Sequence, residues 1–227
     1  MRGRLTMLRV RAAPLRAELD VRLWAPGGGD LPLLVVHDGS GYERHARLTR
    51  WARARMDAGE LPPFRIALLD AGSREEWYSA SALYARALVD HVLPALPSAG
   101  PPVGLGASLG ALALLHAEVR SPGSFGGLFL QSGSFFVPRH DRHESGFRRY
   151  ARIVRFVRTV RGVGRQPGAA EAELTCGAEE ENVHNNRVVA RALRAPLHEV
   201  AGGHDWVAWR NAFDPHLAAL LARLWSR

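Results

Sequence analysis

Short apolar runs alternate with helical segments through most of this 227-residue chain. The runs at 31–36 and 66–69 are almost free of polar residues, which is typical of strands buried on both faces. Further strands are expected at 103–105, 127–130, 172–176 and 197–200, and helices at 44–57, 77–96, 109–119, 182–193 and 205–225. Because strands that alternate with helices form parallel sheets covered on both faces, this order predicts an α/β fold with a mostly parallel central sheet.

The first two strand-like stretches have a different pattern. Residues 5–11 and 18–24 alternate polar and apolar side chains, as strands with one exposed face do. We expect them to form an antiparallel edge on the N-terminal side of the sheet. The sequence contains no internal repeat and no low-complexity linker, so a single domain over 1–227 is the simplest interpretation.

A candidate nucleophile lies in the segment GASLG at 106–110, between a short strand and a helix rich in alanine and leucine. A Gly-x-Ser-x-Gly segment in this context forms a strained strand-to-helix turn, the nucleophile elbow, which exposes the serine hydroxyl above a sheet. The small residues two positions before and after the serine keep the crowded backbone free of clashes. Ser108 is therefore predicted to be a catalytic nucleophile.

A serine hydroxyl is a poor nucleophile near neutral pH and needs a general base. The histidines that follow Ser108 are His116, His140, His143, His184, His198, His204 and His216. His116 lies two turns into the helix after Ser108 and should point away from its hydroxyl, and His198 lies inside a predicted strand. His204 follows the strand 197–200 and two glycines, at the sheet edge where α/β folds place their chemistry. His204 is the predicted base.

The acid that orients this base should follow the preceding strand, and three consecutive carboxylates do so. Glu179, Glu180 and Glu181 come after the strand 172–176. Acidic residues also favour the first turn of a helix, and a helix is predicted from residue 182 onward. Spacing alone does not decide which of the three glutamates orients the base.

An oxyanion that forms at Ser108 needs two preorganised donors. The backbone amide of Leu109, directly after the nucleophile, is the expected first donor. The loop after the buried strand 31–36 contains glycines at which the chain can bend, and the amide of Ser40 in this loop is the expected second donor.

The segment 138–167 contains no predicted strand and much of the basic charge of the chain. One helical face carries Tyr150, Ile153, Val154, Val157 and Val160, with arginines around the rest. The segment is interpreted as a helix docked on the body, or as part of a cap over the active site. All 30 basic residues of the chain are arginine and the formal net charge is +8, a pattern that indicates coding bias, so no nucleic-acid partner is expected.

The predictions of cellular location and of cofactors rest on features that the sequence lacks. No apolar stretch approaches about 18 residues, so no membrane span is expected. Residues 1–16 are interrupted by arginines and lack the apolar centre of a secretory signal, and Cys176 is the only cysteine. We therefore expect a cytoplasmic protein. His140 and His143 are interpreted as part of a charged loop, and neither a metal nor an organic cofactor is expected.

Together, these motifs resemble the putative-esterase family of α/β hydrolases, which includes enterochelin (siderophore) esterases, esterase D and mycolyltransferases. The matching elements are the Asp38-Gly39 loop, the run 70–78 with Arg74, the elbow at Ser108, QSGS at 131–134, GHDW at 203–206 and Trp209-Arg210. The resemblance covers nearly the whole chain and is strongest to enterochelin esterase-like proteins. It implies the α/β-hydrolase fold.

The resemblance also implies roles for individual residues. In that family the acid stands three residues after a glycine that ends a strand, which on Gly177 selects Glu180. The second oxyanion donor follows the Asp-Gly pair, in agreement with Ser40. Substrate contacts are expected from Asp38, Tyr42, Arg74 and Trp206. For Arg74, a structural ion pair with Glu75 or Glu76 is an equal alternative.

The expected function is that of a serine esterase that cleaves a carboxylic ester through an acyl-enzyme, with Ser108, His204 and Glu180 as its triad. A siderophore or another anionic small-molecule ester is the expected substrate class. Two alternatives are an acyltransferase on the same fold and a catalytically silent binding module that uses the arginine-rich surface.

Overall fold

The computed structural model describes residues 3–225, and its centre is an eight-stranded sheet. The strands are β1 Arg4–Ala12, β2 Ala17–Ala25, β3 Leu33–His37, β4 Arg65–Leu69, β5 Val103–Ala107, β6 Gly127–Gln131, β7 Glu171–Gly177 and β8 Leu197–Val200. Their spatial order is β1-β2-β4-β3-β5-β6-β7-β8. Strands β3 to β8 run parallel to one another, which confirms the predicted α/β sheet.

The two leading strands form the predicted antiparallel edge. β1 pairs with β2 along its full length, and β2 in turn pairs antiparallel with β4. The exposed and buried side chains of β2 alternate over most of its length, as expected for a strand with one face in water. In β3, β4, β5 and β6, by contrast, every residue is buried, because helices cover both faces there.

The helices are α1 Gly39–Ala46, α2 Leu48–Asp57, α3 Arg74–Tyr78, α4 Ala82–Ala87, α5 Leu93–Ala95, α6 Leu109–Arg120, α7 Tyr150–Val163, α8 Val183–Leu193, α9 Trp206–Asn211 and α10 Ala218–Trp225. Short 3-10 turns lie at Ala13–Leu15 and His143–Gly146, and π-helical turns at Leu88–Val92 and Phe213–Leu217.

Three helices that the sequence predicts as continuous are interrupted. Arg47 and Ala80 adopt left-handed backbone angles, and they separate α1 from α2 and α3 from α4. Asp214 is extended because it precedes Pro215, whose ring disfavours helical geometry at the residue before it, and this separates α9 from α10. Apolar periodicity does not detect such interruptions.

Two hydrophobic layers hold the helices against the sheet. Successive residues of β3 point to opposite faces, so that Leu33 and Val35 enter one layer while Leu34 and Val36 enter the other. The first layer also contains side chains of α4, α6, α7 and α8, and the second contains side chains of α1, α2, α9 and α10. Each fully buried leucine or valine of these layers contributes about 1.5–3 kcal/mol.

The basic segment docks through α7. Ile153, Val154, Val157 and Val160 are buried as the helical pattern predicts, and Phe156 is buried with them. Their arginine neighbours stay at the surface or form ion pairs, so this helix packs on the body rather than standing over the site. None of the helices within residues 3–225 combines the length and apolar composition that a membrane span requires. The cytoplasmic location stays a prediction.

Candidate active site

Ser108 lies at a sharp turn between the end of β5 and the start of α6. Its backbone angles, φ 57° and ψ −123°, are unusual for a residue with a side chain. The turn fits only small neighbours: a Cβ added to Gly106 would lie 2.7 Å from the carbonyl carbon of Gly110. One added to Gly110 would lie 3.2 Å from Cβ of His37. The motif GASLG therefore has the local geometry of a nucleophile elbow.

His204 and Glu180 form a hydrogen-bonded pair above the same edge of the sheet. Nδ1 of His204 lies 2.8 Å from Oε2 of Glu180. Glu180 follows β7, and His204 follows β8, the next strand in the sheet, so the parallel topology brings the two loops together. The Glu180 side chain is 1% exposed, whereas that of His204 is 43% exposed. The structure thus selects Glu180 from the three adjacent glutamates as the partner of His204.

Three donors surround the Glu180 carboxylate. Besides the contact with His204, Oε1 accepts hydrogen bonds from Oγ of Ser132 at 2.5 Å and from the amide of Gly177 at 2.7 Å. Ser132 in turn accepts one from Nε1 of Trp209 at 2.9 Å. Burial opposes ionisation, but the hydrogen bonds from His204, Ser132 and Gly177 outweigh it, so the pKa of Glu180 lies below the usual glutamate value. Glu180 is a carboxylate with a fixed orientation.

Ser108 and its predicted partners line one pocket of about 390 Å³. Oγ of Ser108 lies 3.0 Å from Oγ of Ser134, a contact that the sequence analysis did not anticipate. The signal was the QSGS segment, which places Ser134 three residues after the end of β6, the strand beside β5. Leu109 also lines the pocket as the first residue of α6, where backbone amides have no partner within the helix.

The predicted second oxyanion donor is engaged elsewhere. The amide of Ser40 donates to Oδ1 of Asp70 at 2.9 Å, and its Oγ is hydrogen bonded to Asp70 and accepts from Arg22. Ser40 is also not among the residues that line the pocket. The assignment of this amide is therefore corrected: an acidic side chain from the end of β4 occupies its hydrogen.

The structure places two of the predicted substrate-contact residues in packing contacts with other side chains. Tyr42 is fully buried, and its hydroxyl donates to Oε1 of Gln131 at 2.8 Å. The Trp206 ring packs edge-on against Tyr42, with ring centroids 5.2 Å apart, and stacks on His45. Trp206 does not line the pocket. Both aromatic rings pack against other side chains, and a substrate contact for either stays a prediction.

Arg74 and Asp38 are paired with each other. Nε and Nη2 of Arg74 donate to the two carboxylate oxygens of Asp38 at 2.9 and 2.7 Å. This bidentate pair replaces the alternative of an ion pair with Glu75 or Glu76, since Glu76 binds Arg149 and Arg152. Arg74 lines the pocket as predicted, but Asp38 has both its oxygens occupied by the guanidinium.

Other histidines have structural positions. His37, at the end of β3, is hydrogen bonded to the Gly110 carbonyl at 3.0 Å and to the Tyr84 hydroxyl at 2.9 Å. Burial lowers the pKa of His37 to about 4, so it is neutral and supports the first turn of α6. His116 points into the layer beneath α7, with its ring 4.9 Å from that of Phe156. The predicted exclusion of His116 as a base agrees with this position.

One group within the described residues has metal-ligating atoms close together: Glu173, His198 and His216 lie within 4.8 Å of one another. The rings of His198 and His216 stack at 3.9 Å, while a metal must lie near the plane of each ring it binds. Oε2 of Glu173 is also bound by Arg223 at 2.7 Å. We interpret the group as an ion-pair cluster below the candidate site. His140 stacks on His184, while Nε2 of His143 lies 3.1 Å from Glu181.

Comparison with known proteins identifies the family of this chain. A family model described as putative esterase matches residues 17–220. The chain belongs to the putative-esterase family. An iron(III) enterobactin esterase of Dickeya dadantii (strain 3937) is 29% identical over 92% of the chain, and one of Escherichia coli O6:H1 is 26% identical over 84%. The chain spans 53% and 51% of these two relatives, about half their length.

Solved structures show that this putative esterase has the α/β-hydrolase fold. The enterobactin esterase of Shigella flexneri, determined in the presence of enterobactin, matches 98% of the chain with a TM-score of 0.80 and 21% identity, and the match covers 59% of that protein. An S-formylglutathione hydrolase of Staphylococcus aureus matches over 97% of both chains with a TM-score of 0.70 and 14% identity. Sequence identities this low show a shared fold but assign no roles to individual residues.

The charges that line the pocket of this putative esterase differ from those of the whole chain. The lining residues are Arg74, Ser108, Leu109, Ser134, Phe136, Asp141, His143, Glu144, Phe147, Glu180, Glu181, Asn182 and His204. They include four carboxylates but only one arginine, although the chain carries a formal net charge of +8. Several lining residues come from the stretch 138–149, so the part of the basic segment before α7 forms one wall of the pocket.

Proposed function

We propose that this protein is a serine carboxylesterase in which Ser108 is the nucleophile, His204 the general base and Glu180 the orienting acid. One observation carries the proposal: a buried, ionised Glu180 binds Nδ1 of His204 in the pocket that also contains the elbow serine. With Nδ1 held by Glu180, the other ring nitrogen of His204 is free to take a proton. Membership of the putative-esterase family supports the same reaction.

The reaction has two halves. Oγ of Ser108 attacks the ester carbonyl carbon while Nε2 of His204 takes its proton, and the carbonyl oxygen becomes an oxyanion held by the amide of Leu109. The intermediate collapses, the bond to the alcohol oxygen breaks, and the alcohol leaves with the proton from His204. Water then attacks the acyl-serine with His204 again as base, and the carboxylic acid is released.

Ser134 is proposed to hold the resting nucleophile. Its hydroxyl lies 3.0 Å from Oγ of Ser108 and can either donate to it or accept from it. A hydroxyl neighbour can thereby keep Ser108 in a defined rotamer until substrate enters and His204 takes the proton.

The siderophore expectation receives mixed support. Relatives are named iron(III) enterobactin esterases, which keeps a siderophore ester among the candidate substrates. The pocket lining, with four carboxylates and an arginine that already binds Asp38, does not favour an anionic ester. We therefore propose ester cleavage as the reaction, independently of the charge of the substrate.

A fluorophosphonate probe combined with an ester assay tests the proposal. Wild-type protein should be labelled at Ser108, as located by peptide mass mapping, and should hydrolyse para-nitrophenyl acetate. The Ser108→Ala variant should lose both, with a fall in kcat/KM of about a thousandfold or more. Ser121→Ala, which changes a serine at the far end of α6, is the matched control and should keep both. A folded wild-type protein that is neither labelled nor active would contradict the proposal and favour a binding module.

A further inference from the structure

The charged side chains around Ser108 bear on which esters the proposed enzyme accepts. Two of the four lining carboxylates are inside the protein: Glu180 binds His204, and Asp141 accepts from the amide of Val137 at 2.6 Å and from Asn185 at 2.5 Å. Their side chains are fixed by these partners. They cannot turn toward a substrate, but their negative charge remains in the wall of the pocket.

The other two carboxylates stand at the mouth of the pocket. The Glu144 side chain is 43% exposed and that of Glu181 is 82% exposed, so both can move toward an entering ligand. Nε2 of His143 lies 3.1 Å from Glu181 and 3.9 Å from Glu144, which brings the two acidic side chains to the same place although they come from different loops.

No lining cation offsets these charges. Arg74, the only arginine of the lining, already binds both oxygens of Asp38. Two arginines at the start of α7, Arg149 and Arg152, are held by Glu76. The remaining described arginines are not part of the lining, although Arg139, Arg142 and Arg148 are exposed in the stretch that forms one wall. Within the lining, Glu144 and Glu181 are the exposed carboxylates that an entering ligand meets.

Aromatic rings complete the wall on the same side. Phe136 and Phe147 line the pocket and pack edge to face, with centroids 5.8 Å apart. Aromatic faces beside carboxylates attract cations through the ring quadrupole as well as through charge. A ferric catecholate or other polyanion would meet these carboxylates at the entrance.

We propose that this pocket selects esters with a cationic group, such as a substituted ammonium, on the acyl or the alcohol part, and that Glu144 and Glu181 are its specificity determinants. The inference rests on the proposed esterase function of Ser108. It reverses the sequence-based expectation of an anionic substrate, because only one of the arginines that suggested such a substrate is part of the pocket lining, and that one binds Asp38.

Matched substrates test the inference. One series joins a butanoyl chain ending in trimethylammonium, tert-butyl or sulfonate to the same para-nitrophenol, so that the three esters have nearly the same shape and differ in charge. A second series places the same three groups on the alcohol of an acetate ester. In at least one series, kcat/KM for the cationic ester should exceed that for the sulfonate by about tenfold at low salt, with the tert-butyl ester between them. High salt should reduce the ratio.

Two double variants assign the effect to residues. Glu144→Gln with Glu181→Gln should lower the ratio of cationic to anionic kcat/KM to within about threefold. Glu18→Gln with Glu60→Gln removes the same charge from exposed carboxylates outside the pocket and should leave the ratio unchanged. A ratio that survives the first pair of changes would overturn the role of these two glutamates.

The tert-butyl esters separate failure of the inference from failure of the proposed function. If they are hydrolysed in a Ser108-dependent manner while the cationic ester has no advantage in either series, the inference is overturned and the esterase function stands. If none of these esters and no para-nitrophenyl acetate is hydrolysed by the folded wild-type protein, the proposed function fails and the inference fails with it.

Discussion

Replacing Glu180 by glutamine changes one charge and almost no volume, and the structure dictates how the amide must orient. Two donors, the Ser132 hydroxyl and the Gly177 amide, point at the Oε1 position. The amide oxygen of the new glutamine must occupy that position, because its NH2 group there would face two other donors. Its NH2 group then faces His204 and donates to Nδ1.

This orientation imposes the wrong tautomer on His204. When Nδ1 accepts a hydrogen bond, the ring proton resides on Nε2, which can then no longer take the proton of Ser108. We expect Glu180→Gln to lower kcat/KM for para-nitrophenyl acetate about a thousandfold to ten-thousandfold, equivalent to about 4–5.5 kcal/mol of transition-state stabilisation. The rate of labelling of Ser108 by a fluorophosphonate should fall as well, since the same proton transfer activates the serine.

Glu179→Gln is the matched control. Glu179 is adjacent in sequence but its side chain is exposed, so kcat/KM should stay within about twofold of wild type. Retention of kcat/KM within about threefold in Glu180→Gln, with thermal unfolding unchanged, would refute the assignment of Glu180 as the orienting acid. A large loss in Glu179→Gln instead would show that the buried pair is not the catalytic one.

Three further changes test the supports of the site. Gly106→Ala should lower the free energy of unfolding by about 2 kcal/mol or more in urea titrations, because its Cβ would lie 2.7 Å from backbone of the elbow, whereas Gly203→Ala, with nothing within 4 Å, should be tolerated. Arg74→Met should cost about 1 kcal/mol by leaving Asp38 unpaired, and adding Asp38→Asn should recover part of that loss; an equal loss in the double variant would show that the unpaired carboxylate is not its cause. Burial lowers the pKa of His116 from 6.5 to about 4, so its contribution to stability is present above pH 6.5 and is lost as the pH falls toward 4. His116→Gln should therefore flatten the dependence of unfolding free energy on pH in this window by up to about 1.4 kcal/mol per pH unit, and an unchanged slope would contradict this cause.

Sequence patterns predicted the sheet and the order of the site loops because both depend on local features. Apolar runs mark buried strands, and the carboxyl ends of parallel strands meet at one edge, so the loops after β5, β7 and β8 had to converge. Ser108 and His204 follow from that rule. Glu180 did not follow from spacing, because choosing among three adjacent glutamates depends on which side chain is buried against Ser132 and Gly177.

The contacts of Ser40 and Tyr42 differ from the sequence-based expectation for one physical reason. Ser40 and Tyr42 lie in the loop that the motif indicated, but their polar atoms bind partners distant in the chain, Asp70 and Gln131. A tyrosine hydroxyl or a backbone amide takes whichever partner the fold brings within reach, and a buried one must take some partner. Loop position therefore predicts which residues are near a site but not which of their hydrogen atoms remain available to a substrate.

The same hydrogen bonds that make burial of Glu180 tolerable also fix its direction. An ionised carboxylate that is 1% exposed needs compensation, and His204, Ser132 and Gly177 provide it from three different segments. Trp209 then fixes Ser132, which connects α9 to the loop after β6. Because Ser132 and Gly177 both donate to Oε1, the carboxylate is held with Oε2 facing Nδ1 of His204. The same contacts thus stabilise the buried charge and align the proposed triad. A substitution at Ser132 or Trp209 should therefore affect both together.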